Sequence, residues 1–114
     1  MFSIKSLIMA WKYSMDGFRF LFKERAFRQE IMLGICLIGI EFFRETPIGI
    51  RIYLISSFVL ILVTECINSA IETVIDRIGL ERHHLSKKAK DIGSAAVFIT
   101  ILHFAGIWLG SWFW

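Results

Sequence analysis

The chain has 114 residues, 56% of them apolar and 20% charged, with 13 Lys and Arg against 10 Asp and Glu, and its mean hydropathy is +0.64. This length fits one domain, and the apolar share exceeds that of soluble domains, so an integral membrane protein is expected. The basic residues lie beside apolar runs, where they suit anionic lipid headgroups, and no basic stripe with interleaved aromatics stands apart, which excludes a nucleic-acid partner.

Residues 1–22 are amphipathic rather than spanning. Phe2, Leu7, Trp11, Phe18 and Phe20 alternate with Lys5, Lys12, Asp16 and Arg19, a pattern that lays a helix in the membrane interface. A helix packed on the rest of the protein has the same pattern. Its basic residues are scattered and no small-residue cleavage site follows, so a signal peptide is not expected. The surface helix is placed over about residues 1–26, closing on the charged stretch 23–30 that contains Glu24, Arg28 and Glu30.

The first span is expected over about residues 28–45. Its apolar part, broken by Glu41, is shorter than the ~20 residues a span needs, so flanking side chains must snorkel. Pro47 and Gly49 mark a tight turn. The second span is expected over about 51–77 without a breaker, with Gly79 as its stop and Ser86 as a cap for the next helix. The third, over about 91–114, opens on Gly93, Ser94, Ala95 and Ala96, small residues that allow close helix approach. Gly106 and Gly110 form a G-x-x-x-G that alone is a weak packing signal, and Trp108, Trp112 and Trp114 are suited to the far interface. Cys36 and Cys66 fall inside spans, with no CxxC and no zinc spacing to His83, His84 or His103, and are read as small apolar residues.

Six Lys and Arg precede or include Arg28 and five fall between Arg77 and Lys90, whereas the Pro47 turn holds only Arg44 and Arg51. The positive-inside tendency puts the N-terminus and the second connection in the cytoplasm, and the Pro47 turn and the C-terminus outside.

The stretch 65–76, ECINSAIETVID, carries the chemistry. At 100° per residue Glu65, Asn68, Ser69, Glu72 and Asp76 share an arc of roughly 100°. Carboxylates near a bilayer cost several kcal/mol, so such a stripe faces a bundle interior, a metal, a partner or water; decoration of a helix end accounts for Glu72 and Asp76 but not for Glu65. The deeper Glu65 suits a general base on a lipid hydroxyl, and the shallower Glu72, with Glu24, suits Mg²⁺. Lys90 and the nearby histidines suit phosphate charge. Asp91 fits either a chemical role or a helix cap. No GxxxxGK[ST] or kinase-type glycine loop occurs, so P-loop and protein-kinase arrangements are excluded.

Glu65-Cys-Ile-Asn-Ser-Ala-Ile-Glu-Thr-Val-Ile-Asp-Arg77, followed by Ala89-Lys-Asp-Ile-Gly-Ser-Ala-Ala-Val97, resembles the signature of the small prokaryotic integral-membrane diacylglycerol kinases. Ala26-Phe-Arg-Gln-Glu30 after Glu24, and Tyr13-Ser14 with Gly17 and Arg19, extend the resemblance over most of the chain. It implies a homotrimer of three-span subunits with a surface helix in the bacterial inner membrane, an active site between subunits on the cytoplasmic side, and transfer of the γ-phosphate of MgATP to the free hydroxyl of diacylglycerol. Carried onto matching positions, it implies Glu65 as base and Asn68, Lys90 and Asp91 as essential site residues. Glu24 and Glu72 would bind the metal. Tyr13, Glu24, Glu72, Glu81, Arg82, His83, Lys90 and Asp91 would meet the nucleotide, and Arg19, Arg28, Glu30, Glu65 and Ser94 the lipid. The pattern departs at Ser6, where the family has an arginine, at Trp11, where it has a small residue, and by one residue fewer between Arg19 and Glu24.

Three rival readings remain at this point. An undecaprenol kinase of the same fold differs only in acceptor, although the run Ile75-Asp-Arg-Ile-Gly79 favours diacylglycerol. A small ion-coupled transporter would use Glu65 to carry protons but gives no reason for the cytoplasmic carboxylates around Lys90. A purely structural trimer leaves the cost of Glu65 without a return.

Overall fold

The computed structural model describes residues 3–113, and its elements are helical: α1 Ile4–Phe22, α2 Arg25–Phe43, α3 Ile48–Ile78, α4 His84–Gly110, and a closing 3₁₀ turn at Ser111–Phe113. Met1, Phe2 and Trp114, assigned from sequence to the surface helix and the last span, lie outside the described residues. The chain forms two compact units, Met1–Met32 and Leu33–Trp114.

In the first unit α1 starts with a reciprocal cap. The Ser3 hydroxyl accepts from the Ser6 amide at 3.1 Å while the Ser6 hydroxyl accepts from the Ser3 amide at 3.2 Å, satisfying two otherwise orphaned donors. Ile4, Leu7, Ile8, Trp11 and Phe18 share one exposed side of α1, the face an interfacial helix presents to acyl chains. A short turn at Lys23 and Glu24 leads into α2. There Phe27 is buried with its ring edge-on to Phe22 at 5.4 Å, and Arg28 Nη1 donates to the Phe22 carbonyl at 2.6 Å.

The second unit holds the rest of α2 and a hairpin of α3 and α4. At Gly34 the α2 backbone approaches Phe58 of α3 so closely that a Cβ would overlap the ring; no larger residue fits without moving that ring. Glu45, at φ 56°, makes the sharp turn after α2, and the Thr46 hydroxyl donates back to the Glu41 carbonyl at 2.9 Å. Pro47 then acts as the α3 N-cap. Its ring sets φ near the helical value and its missing N–H forfeits nothing there, so α3 begins at Ile48, earlier than the sequence expectation of about 51, and Gly49 is helical rather than part of the turn.

Helix α3 runs 31 residues, about 46 Å at 1.5 Å per residue, and stops at Gly79 as expected, with Arg77 favourably placed in its last turn. Helix α4 starts earlier than expected. His83, not Ser86, is its N-cap, with Nδ1 accepting from the Leu85 amide at 3.1 Å, so Ser86 falls inside the first turn.

Leu54, Ile61 and Phe104 form the core between α3 and α4, with Leu37, Ile38, Phe58 and Trp108 packed on it. The Thr64 and Thr100 hydroxyls meet across this apolar seam at 3.1 Å, and Trp108 Nε1 of α4 donates to the Leu37 carbonyl of α2 at 3.0 Å.

The distal end of the unit, away from the α3–α4 connection, is closed by a polar cluster that residue patterns did not single out. Glu41 is fully buried; Arg44 Nη1 lies 2.9 Å from both of its carboxylate oxygens, the Ser111 hydroxyl donates to Oε1 at 2.6 Å, and the Arg44 guanidinium stacks 3.5 Å from the Trp112 ring centre. A buried carboxylate is tolerated when it is paired and hydrogen-bonded in this way.

Helices α3 and α4, the latter continued through its 3₁₀ turn, are long and apolar enough to cross a membrane. Helix α2 has 19 residues, with Arg25, Arg28 and Glu30 early and Glu41 late, so its uninterrupted uncharged stretch is residues 31–40. Many large apolar side chains on α3 and α4 are exposed, among them Ile52, Tyr53, Ile55, Val63, Ile67, Phe98, Ile99 and Leu102. So continuous an apolar surface is foreign to a soluble monomer and natural to one bathed in lipid or packed on other helices.

Candidate active site

The polar stripe read from sequence is realised on the half of α3 that leads into the α3–α4 connection, and α4 packs beside it. Glu65 is the deepest member, buried at 9% exposure and one residue beyond the Thr64–Thr100 link. One turn on, Asn68 is half-buried, and its Nδ2 donates to Glu72 Oε1 at 3.4 Å. Its Oδ1 is buried without a hydrogen-bond partner in the chain and faces Gly93 of α4, where a Cβ would collide with that oxygen. Gly93 therefore sets how closely α4 approaches the stripe, and small residues suit such approach. An orphaned buried amide oxygen is uncommon and marks a place where a polar partner is expected.

Towards the helix ends an open cleft of about 610 Å³ is lined by Asp76, Glu81, Arg82, His83, Lys87, Lys90 and Asp91 among others. Four of its charges fall into two pairs. Lys90 Nζ lies 3.1 Å from Asp76 Oδ1 across the hairpin, and Lys87 Nζ lies 2.6 Å from Asp91 Oδ2 one turn along α4. The hydrogen bond and charge of Asp91 push the Lys87 ammonium above its ordinary value of 10.5. The imidazoles of His83 and His84 stack at 4.7 Å. The cleft opens at the N-terminal turn of α4, the positive end of that helix's dipole, which favours anions.

Of the residues named from sequence, Glu65, Asn68, Glu72, Glu81, Arg82, His83, Lys90, Asp91 and Ser94 all belong to the α3–α4 hairpin. Glu81, Arg82, His83, Lys90 and Asp91 share the cleft; Glu65, Asn68 and Glu72 climb α3 above it, and Ser94 is exposed on α4 one position beyond Gly93. Tyr13, Arg19, Glu24, Arg28 and Glu30 belong to the first unit. There Tyr13 is exposed, Arg19 pairs with Asp16 at 3.2 Å, and Arg28 holds the Phe22 carbonyl. Asp91 is not a cap: it lies two turns into α4, and His83 holds the cap position.

Asp76 stood on the stripe without a task of its own, and Gly93 was read only as one of four small residues that allow close helix approach. The signal that marks Asp76 is its i+4 spacing from Glu72 on the stripe; which lysine it meets depends on the hairpin geometry.

Among the described residues no group of three or more His, Cys, Asp or Glu gathers, so no all-protein metal cage is present. Mg²⁺ does not need one. It takes one or two carboxylates and completes its shell with water and substrate phosphates, and the exposed Glu72 carboxylate, steadied at one oxygen by Asn68, is a donor of the right kind.

The chain matches the family model described as prokaryotic diacylglycerol kinase over residues 12–111. It is 50% identical to a diacylglycerol kinase of Haemophilus influenzae over 109 residues, covering 94% of this chain and 92% of that one. Identity is 42% over 106 residues to a diacylglycerol kinase of Pseudomonas aeruginosa, with coverages of 92% and 86%, and 45% over 97 residues to that of Escherichia coli K12, with coverages of 84% and 80%. A match over nearly the whole length, carrying the ExxNSAIExxxDR stripe together with the segment that contributes Lys90 and Gly93, places this chain in the prokaryotic diacylglycerol kinase family.

Proposed function

We propose that the protein transfers the γ-phosphate of MgATP to the free hydroxyl of diacylglycerol, giving phosphatidic acid and ADP. The observation that carries the mechanism is the ladder on α3, with buried Glu65 above Asn68 and Glu72, and Glu72 above the cleft that holds Lys90. That arrangement supports a reading in which the acceptor sits at apolar depth and the polyphosphate at the water side.

In this reading the Glu65 carboxylate takes the proton as the lipid hydroxyl oxygen attacks the γ-phosphorus. The new O–P bond forms as the bond from phosphorus to the β-bridging oxygen breaks, ADP leaves with that electron pair, and Glu65 then returns its proton to water. Asn68 orients Glu72. Lys90 and the α4 N-terminus neutralise phosphate charge, with Arg82 and His83 at the cleft edge. Glu24 and Glu72 are the residues assigned to Mg²⁺, which when bound draws charge from the phosphate oxygens. Tyr13, Glu81 and Asp91 are assigned to the nucleotide, and Arg19, Arg28, Glu30 and Ser94 to the lipid. Reaction by positioning and charge neutralisation is what phosphoryl transfer requires.

The wider arrangement belongs to the same proposal. It has three spans over about 28–45, 51–77 and 91–114, with the 1–26 helix on the cytoplasmic surface of the bacterial inner membrane and the C-terminus periplasmic. Three subunits form a homotrimer whose contacts cover the exposed faces of α3 and α4. The charge asymmetry between the cleft end and the Pro47 end supports the orientation. Glu65→Gln keeps shape and loses the base, so it should form the same oligomer as the parent with phosphoryl transfer reduced by ~10²-fold or more. Full activity in that variant would remove Glu65 from the mechanism.

A further inference from the structure

We propose that Asp76 is a positioning residue for Lys90, fixing the ammonium over the cleft for the nucleotide phosphates; this rests on the reading of Lys90 as the phosphate-binding lysine. Lys90 is carried on a flexible stem, and a lysine with no fixed partner samples many rotamers, each of which must be surrendered on binding. Here it is held 3.1 Å from Asp76 Oδ1, fourteen residues earlier in the chain and on the facing helix. The nearer carboxylate in sequence, Asp91, is engaged by Lys87 at 2.6 Å, so the two pairings divide the four charges and leave Lys90 to Asp76. Both Asp76 and Lys90 are about half exposed, and an ion pair in that setting adds little to folding. The arrangement therefore acts on placement: the pair directs the ammonium across the hairpin into the cleft lined by Arg82, His83 and Asp91.

The test is equilibrium binding of MgATP and steady-state kinetics on the full-length detergent-solubilised protein, for Asp76→Asn, Asp76→Glu, Lys90→Met and the double variant Asp76→Asn/Lys90→Met. Asp76→Asn should weaken MgATP binding and raise the KM for ATP about tenfold, with the KM for diacylglycerol and the unfolding midpoint unchanged. Asp76→Glu, which keeps the charge, should restore most of the affinity. In the Lys90→Met background the Asp76 change should have no further effect on binding, because its role is exercised through Lys90. Equal losses from Asp76→Asn with and without Lys90, or none at all while Lys90→Met is impaired, would overturn the positioning role. Wild-type binding and turnover in Lys90→Met would instead overturn the underlying assignment of Lys90.

Discussion

Replacing Gly93 by Ala should separate stability from activity. Gly93 is buried inside α4, and a Cβ there would overlap the Asn68 amide oxygen, the far end of a flexible side chain. Alanine improves helix propensity by ~1 kcal/mol over glycine, whereas an extra methyl in a packed seam costs about 1–3 kcal/mol. The net destabilisation is therefore small, about 0–2 kcal/mol. The effect on chemistry is larger, because Asn68 must swing away from Glu72, and a displacement of roughly 1 Å in a positioning group costs on the order of 10²-fold in rate. Unfolding in detergent and steady-state kinetics with ATP and diacylglycerol measure the two quantities. Gly106→Ala is the control: its Cβ meets nothing within 4 Å in the chain, so it should leave turnover unchanged and raise stability by up to ~1 kcal/mol. Wild-type turnover in Gly93→Ala would refute the claim that the Gly93–Asn68 approach sets the site.

Other outcomes follow from the same structure. Glu41→Ala should destabilise the protein by about 2–4 kcal/mol, less than the full cost of breaking a buried pair because Arg44 is a quarter exposed and can turn towards water; replacing Glu41 and Arg44 together by leucine should recover most of the loss, and an unchanged unfolding midpoint for Glu41→Ala would dismiss the cluster as incidental. Glu72→Gln should raise the Mg²⁺ concentration needed for half-maximal activity, which an unaltered Mg²⁺ titration would exclude. The Lys87–Asp91 pair raises the Lys87 value above 10.5, so its contribution is fully present below 10.5 and is lost only as pH rises through the raised value. An NMR titration should place the Lys87 midpoint above 10.5 and return it to the ordinary value in Asp91→Asn; the same midpoint in both would contradict the pairing.

Local chemistry was readable in the residues. The 3.6-residue spacing of Glu65, Asn68, Glu72 and Asp76 put them on one face, and the structure stacks them on one side of α3, with Asn68 bonded to Glu72. Gly79 stops α3 as glycine does where no side chain favours continuing the helix. What residue patterns could not supply was partner choice. Ser86 is a better cap by type than His83, yet the helix begins three residues earlier, and a ring nitrogen that reaches the Leu85 amide serves as well. Lys87 and Lys90 are equally charged, and only the hairpin geometry sends one to Asp91 and the other to Asp76. Glu41 looked like an intrusion in an apolar run; Arg44 three residues on was a local cue to its pairing, but its second partner, Ser111, lies 70 residues away, beyond any local pattern.

The central claim is that this stripe and cleft perform lipid phosphorylation, and the most direct test is transfer of labelled γ-phosphate from MgATP by the purified, detergent-solubilised protein offered diacylglycerol and undecaprenol side by side. Labelled phosphatidic acid in preference to undecaprenyl phosphate is the result expected. Preference for undecaprenol would keep the chemistry and overturn the acceptor, and no transfer to either lipid by a well-folded oligomer would contradict the account at its root.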